Sequence, residues 1–272
     1  MESDAENVVV SGIEGMRCAV TGAASGIGDA VARVLARSGA SVTSLDIKEP
    51  TARVDHHIPC DLSDPDSIGA AVEALGAAHD ALVNVAGVPG TLPDDTVIKV
   101  NFLGLRLLSE SLTPRLRDGG AIVNVASTAG FEWPERLPLL LEFVATASFD
   151  EGLAWFQANA PTDVPAYYFS KEAVIVYTMR AGQSAWARGI RVNSVSPGPV
   201  ETPILGDFED SMGKDTLDGV KAIVGRHATP EDIAPLAVFL ASPASRWVNG
   251  ANLFADGGAL GGVVSGVVAM PT

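Results

Sequence analysis

The stretch RCAVTGAASGIG, Arg17 to Gly28, is where the fold is decided. RCAVT has the β-rich apolar character of a strand, and it runs straight into a turn with glycines at 22, 26 and 28. The apolar spacing from Ile27 to Ser38 is then helical. A strand, a tight glycine turn and a helix in that order make the first half of a βαβ unit. The same alternation continues outward along the chain. SVTSLD (41–46), HHIPC (56–60), DALVNV (80–85), AIVNVA (121–126), IRVNSV (190–195) and NLFAD (252–256) read as strands, and 65–77, 94–116, 168–188 and 230–240 as helices. Thr229 is placed to cap the last of these, with Pro230 in its first turn and Glu231 and Asp232 at the positive end of its dipole.

The expectation is an α/β protein, one Rossmann-like domain over 16–272 with a doubly wound parallel sheet of about seven strands. Helices cover both faces because parallel crossovers are right-handed. Residues 1–15 read as a loose N-terminal arm. Residues 131–166 form an insertion between the fifth strand and the next helix, too long for an ordinary connection, and 203–224 a flexible substrate loop. The Gly- and Val-rich tail that begins at Gly261 is left open between packing on the body and meeting a partner.

Composition narrows the function. Acidic residues outnumber basic ones, 33 to 18, and the net charge of -15 opposes binding to nucleic acid or anionic lipid. Cys18 and Cys60 are the two cysteines, with no Cys-x-x-Cys spacing, so neither a disulfide framework nor a zinc site is indicated. His56 and His57 are adjacent in a strand and point to opposite faces, which also argues against a metal. The first residues are acidic where a secretion signal would be basic, and no apolar run reaches the roughly 18 residues needed to span a bilayer. A cytoplasmic protein with no membrane partner is expected.

The turn TGAASGIG suits a pyrophosphate. Glycines 22, 26 and 28 allow a tight turn and close backbone approach, and the helix that follows offers free amides and the positive end of its dipole. Asp46 ends the second strand, 18 residues after Gly28, where a carboxylate can hold ribose hydroxyls and repel a 2′-phosphate. NAD is therefore expected over NADP; a solvated acid beside Lys48 is the alternative. Asp61 follows the third strand, where an adenine edge could pass, while Ser63 and Asp64 read as helix caps.

AYYFSKEAV, Ala166 to Val174, sets two tyrosines beside a lysine. On a helix Tyr167 and Lys171, four apart, share a face, whereas Tyr168 pairs with Glu172 on another. A neighbouring ammonium favours the phenolate, so Tyr167 is the tyrosine that could exchange a proton with an alcohol or carbonyl. By itself this short pattern occurs in many helices.

Taken with its company, the chain resembles the short-chain dehydrogenase/reductase family over nearly its whole length. TGAASGIG stands for the glycine motif, NVAG (84–87) for NNAG, and YYFSK for Tyr-x-x-x-Lys, while Asn101 in KVNFLG, Ser127 in NVASTAG and SPGPVETP (196–203) follow in family order. The resemblance implies Tyr167 as general acid/base, Ser127 as hydrogen-bond donor to the substrate oxygen and Lys171 as the group that lowers the tyrosine pKa and holds the nicotinamide ribose. It implies that Asn101 positions a relay water. Thr128 is the alternative to Ser127. Cofactor contacts are implied at Gly22, Ser25, Gly26, Ile27, Gly28, Asp46, Asp61, Leu62, Asn84, Ala86 and Gly87, at Tyr167 and Lys171, and at Pro197, Gly198, Val200 and Thr202, the last through its hydroxyl to the carboxamide. Val85 departs from the family's second Asn but removes no catalytic group.

Ser127 and Tyr167 are 40 residues apart, further than in many members of that family. The intervening aromatic and leucine-rich segment must bury its apolar side chains, either against the body or a neighbouring subunit or as a wall beside the site. With Ile204, Leu205, Phe208, Met212 and Leu217 in the later loop, it points to a bulky apolar alcohol or ketone. The resemblance narrows to the bacterial 3α-hydroxysteroid dehydrogenase/carbonyl reductase branch and the coniferyl-type alcohol dehydrogenases related to it. It also implies a homodimer or homotetramer, and the insertion, which enters just before one of the helices that would form the contact, is expected to alter the interface. The alternatives are a catalytically silent NAD-binding regulator, a dehydrogenase of small polyols or sugars, and an extended-type epimerase or dehydratase, for which too little chain follows Gly198.

Overall fold

The computed structural model describes residues 8–51 and 54–269. In chain order the first half contains β1 (Arg17–Thr21), α1 (Gly26–Arg37), β2 (Ser41–Asp46), β3 (His56–Pro59), α2 (Pro65–Leu75), β4 (His79–Asn84), α3 (Asp94–Ile98), α4 (Leu105–Leu112) and β5 (Leu116–Val125). The second half contains α5 (Leu137–Val144), α6 (Phe149–Asn159), α7 (Ala166–Ala185), β6 (Arg191–Pro197), α8 (Leu205–Met212), α9 (Lys214–Val224), α10 (Pro230–Ala241), β7 (Asn252–Ala255) and α11 (Ala259–Val264). The strands form one seven-stranded sheet in the order β3-β2-β1-β4-β5-β6-β7, every pair parallel. From β1 the chain winds outward to β3 and then returns to β4 on the other side, which opens a crevice at the carboxyl ends of β1 and β4.

Burial on both faces explains the continuous apolar runs. Val20, Val42, Val83, Val123 and Val195 meet the layer of α1 and α10, whereas Ala19, Leu45, Leu82, Ile122 and Val192 meet the opposite layer. Among the described residues no helix is long and apolar enough to cross a membrane.

Several boundaries depart from expectation. The helix read over 94–116 is α3, a π-helical segment Lys99–Gly104, α4 and a short 3₁₀ turn, and β5 begins at Leu116. The helix read from Tyr168 begins at Ala166, so Tyr167 is inside it. The described part of the N-terminal arm is not loose: Ile13 is fully buried in the α1/α10 core and the Val10 amide donates to Ser38 Oγ at 2.9 Å. Asp64 caps α2 as expected, accepting from the Asp66 amide at 3.0 Å, whereas Ser63 donates to Asp61. At α10, Asp232 reaches back to accept from the Thr229 amide at 2.7 Å.

The insertion folds as α5 and α6 and packs onto α7 and the π-helical segment. Phe143 lies 4.7 Å from Phe102, 5.3 Å from Phe169 and 5.2 Å from Trp155, ring centroid to centroid. Buried Arg106 of α4 holds the bend between α5 and α6, donating to Thr146 O at 3.0 Å and Ser148 O at 2.8 Å. The loop over 203–224 is two helices, α8 and α9.

Candidate active site

The glycine turn closes against β4. Gly22 has φ of +70°, and a Cβ there would lie 2.8 Å from the Ala86 backbone; one on Gly28 would lie 2.0 Å from Gly22 O. No larger residue fits either position, since real Cβ atoms do not approach this closely. Thr21 Oγ1 accepts from the Val85 and Ala86 amides at 2.9 and 3.1 Å, which ties the ends of β1 and β4 together. Asp46 Oδ2 accepts from the Ala24 amide at 3.0 Å and Oδ1 from the Lys48 amide at 2.9 Å, so the acid braces the turn from β2. Ser25 precedes α1 without a side-chain capping bond. The first amides of this helix therefore face a cavity lined by Ser25, Gly26 and Ile27.

That cavity, of about 400 Å³, runs from the turn to the tyrosine. Along it lie Gly22, Ser25, Gly26, Ile27, Gly28, Asp46, Asp61, Leu62, Ala86 and Gly87, then Ser127, Tyr167, Lys171, Pro197, Gly198, Val200 and Thr202. An open helix N-terminus at one end, a carboxylate at the second strand and a slot closed to any Cβ fit a dinucleotide.

Two expected residues lie elsewhere. Asn84 is turned into the sheet, donating to Ser109 Oγ and Asn124 Oδ1, each at 2.9 Å, and does not line the cavity. A strand residue alternates faces, and position 84 faces the buried layer. Asn101 Oδ1 accepts from the Val88 amide at 2.8 Å while Nδ2 donates to Val88 O at 3.0 Å and Ser170 Oγ at 3.4 Å. Its side chain clamps the loop after β4, so a water at this residue would have to be held by the backbone of the π-helical segment, a feature that recurs at functional sites.

Tyr167, Lys171 and Ser127 converge. Lys171 Nζ stands 5.7 Å from the Tyr167 ring centroid and donates to Val125 O at 3.1 Å. Ser127 Oγ accepts from the Ala129 amide at 3.1 Å, at the start of a 3₁₀ turn. Burial pushes the Tyr167 phenol up to about 12, against which its hydrogen bond with Ser127 acts downward; Tyr168 adds a smaller upward push. Burial also brings the Lys171 ammonium down to about 8. In this state burial is the largest influence on the tyrosine, and the downward push comes from Ser127, not from the Lys171 expected to supply it.

Of the two readings of the insertion, packing on the body holds and the wall does not, because none of residues 131–166 lines the cavity. Ile204, Leu205, Phe208, Met212 and Leu217 do, and the Phe208 ring stands 5.1 Å from that of Tyr167 at 61°. Sequence reasoning passed over Val88, Val100, Val125 and Cys60, which also face the cavity. They are ordinary apolar strand-end or helix residues with no motif to mark them.

Comparison with known proteins agrees with this geometry. A family model described as short chain dehydrogenase matches residues 17–138, and one described as Enoyl-(Acyl carrier protein) reductase matches residues 148–259. A coniferyl-alcohol dehydrogenase from Pseudomonas sp. is 40% identical over 240 residues, covering 88% of this chain and 94% of its own. A D-threitol dehydrogenase from Mycolicibacterium smegmatis is 33% identical over 272 residues, covering 90% of this chain and 93% of its own. The crystal structure of a 3-alpha-hydroxysteroid dehydrogenase from Pseudomonas sp., complexed with NADH, aligns with a TM-score of 0.76 at 29% identity, over 93% of this chain and 99% of that one. With the glycine turn, the Tyr167–Lys171 pair and the strand order on one chain, the protein belongs to the short-chain dehydrogenase/reductase family of oxidoreductases.

Proposed function

We propose that the chain is an NAD-dependent dehydrogenase of a bulky, largely apolar aryl or secondary alcohol, of the coniferyl or 3α-hydroxysteroid type. The observation that carries the reading is the single cavity joining the glycine turn to Tyr167, with apolar side chains of α8 and α9 over its far end. The 40% identity to a coniferyl-alcohol dehydrogenase supports the aryl form of it. Asp46 supports NAD, since its carboxylate would repel a 2′-phosphate. A small-polyol reading draws on the threitol relative, but a polyol offers nothing to Phe208, Met212 and Leu217.

The nicotinamide, when bound, supplies the hydride acceptor for alcohol oxidation and the donor for carbonyl reduction. The chain's own groups handle the proton and the charge. Ser127 and Tyr167 hydroxyls meet the substrate oxygen, where donors stabilise developing alkoxide. In reduction the neutral Tyr167 phenol gives its proton to that oxygen; in oxidation the phenolate takes it. Lys171, held by Val125 O, favours the phenolate by its positive charge. Asn101 keeps the loop at Val88 and the helix at Ser170 in register with these groups. Residues 203–224 act as the substrate loop of a single domain spanning 16–272. We place the enzyme in the cytoplasm as a homodimer or homotetramer, in which α5 and α6 change the interface because they cover α7; light scattering that finds only monomer at working concentration removes that part.

The test is initial-rate NADH formation from NAD and then NADP with a coniferyl-type alcohol, a 3α-hydroxysteroid and a small polyol. NAD-dependent turnover of a bulky alcohol is expected, and Tyr167→Phe should lower it by roughly 10²- to 10⁴-fold. Turnover of the polyol alone overturns the apolar pocket, and an undiminished Tyr167→Phe enzyme overturns the acid/base role in favour of a silent NAD-binding protein.

A further inference from the structure

Glu172 follows Lys171 directly in α7 and has no exposed surface. A buried carboxylate costs several kcal/mol to desolvate unless a well-aligned partner compensates it. That partner is Arg136, whose Nε donates to both carboxylate oxygens at 3.1 and 2.9 Å and whose Nη2 donates to Oε1 at 2.5 Å. Arg136 belongs to the root of the insertion, nine residues after Ser127. The chain between the two is pinned against the same helix. Ser127 caps the turn Thr128–Gly130, and that turn sits so close to α7 that a Cβ on Gly130 would lie 2.8 Å from the Lys171 carbonyl carbon. Arg136 Nη2 also donates to Glu132 at 3.1 Å, which stiffens the segment leading into the pair.

We propose that the Arg136–Glu172 pair is a positioning device that bolts the turn carrying Ser127 to the helix carrying Tyr167 and Lys171. The inference rests on the proposed roles of those three residues. An excursion of 39 residues separates Ser127 from Tyr167 in sequence, and Arg136 fastens it where it leaves the turn that Gly130 packs against α7. A forked guanidinium on a carboxylate fixes direction as well as distance, which apolar packing alone does not. The pair thus confines the insertion's motion to its outer part, and the two hydroxyls keep their separation.

The pair can be tested without a substrate. The chain has 3 tyrosines, so 3-fluorotyrosine labelling yields a simple ¹⁹F spectrum in which Tyr168→Phe and Tyr177→Phe identify the Tyr167 resonance. Ser127→Ala marks where that resonance goes when the serine contact is lost. The double variant Arg136→Met/Glu172→Met leaves no buried charge unpaired, because Glu132, the other acceptor of Arg136, is exposed to solvent. It should retain NADH binding and its melting temperature, move the Tyr167 resonance toward the Ser127→Ala position, and lower kcat roughly 10- to 100-fold with KM little changed. Arg136→Lys, which keeps the charge but loses the fork, should fall between it and wild type and serves in its place if the double variant does not fold. A wild-type resonance together with wild-type kcat in these variants overturns the proposal. If wild type oxidises none of the alcohols tried, the functional reading fails and the resonance alone decides the positioning role.

Discussion

Two apolar excursions flank Tyr167, and their side chains go to different places. The insertion at 131–166 sends Phe143, Phe149 and Phe156 into the core, where they meet Phe102, Phe169 and Tyr177. The excursion at 203–224 buries only Leu217 among its helical residues, and Ile204, Leu205, Phe208 and Met212 stay half-exposed over the cavity. Composition does not separate them, because both are rich in large apolar residues. A complementary face does. Phe102 and Phe169 present aromatic surface to the insertion, whereas the partner of α8 is the space in which a substrate would bind. The insertion is an outer layer of the core, and the cover of the cavity is the pair α8 and α9.

The sharpest way to break this contrast is Phe143→Ala. Loss of a fully buried phenylalanine should cost about 3–5 kcal/mol, read by calorimetry as a fall in melting temperature on the order of 10 °C, with the substrate profile unchanged. A large change in substrate preference instead would return the insertion to the site. Arg106→Met should cost about 1–3 kcal/mol, since the Thr146 and Ser148 carbonyls lose their donor; denaturant unfolding measures it, and an unaltered midpoint would mean that water replaces the guanidinium. Phe208→Ala should barely move the melting temperature but lower kcat/KM for the bulky alcohol by about tenfold, the worth of one phenylalanine contact. If it destabilises the protein as much as Phe143→Ala, α8 is core and the contrast fails.

The smallest effect expected of either excursion is on pH dependence, which should reside in Tyr167 and Lys171. With the phenol pushed up to about 12, the acid form prevails at neutral pH, so carbonyl reduction should hold through neutrality and fall in the alkaline range. Alcohol oxidation needs the phenolate and should rise with pH, with a loss of support as Lys171 gives up its charge above about 8. Rate profiles of Phe143→Ala and Phe208→Ala that keep the wild-type shape would localise the titration; a shifted profile in either would tie that excursion to the proton transfer.

Much of the fold was legible because each element carries its own local signal. The valine-rich strands are buried on both faces and read as apolar runs, and the order strand, glycine turn, helix placed the cradle without any tertiary information. Less legible were residues whose roles depend on the opposite side of the molecule. Asn84 sits in a recognisable motif yet points into the sheet network with Ser109 and Asn124. Asn101 reads as a relay residue, but its amide is spent on Val88. The break of the expected helix over 94–116 into a π-helical segment has no local sequence mark.

By itself, the sequence determined the parallel doubly wound sheet, the glycine turn, and the pairing of Tyr167 with Lys171, because these follow from short-range periodicity, backbone freedom and four-residue helical spacing. Only the tertiary structure decided which excursion covers the cavity and that Glu172 is bound by Arg136. It likewise decided that burial, more than a neighbouring charge, governs the tyrosine. Those outcomes depend on which distant surfaces meet and on the solvent they exclude, and neither quantity is carried by residues adjacent in the chain.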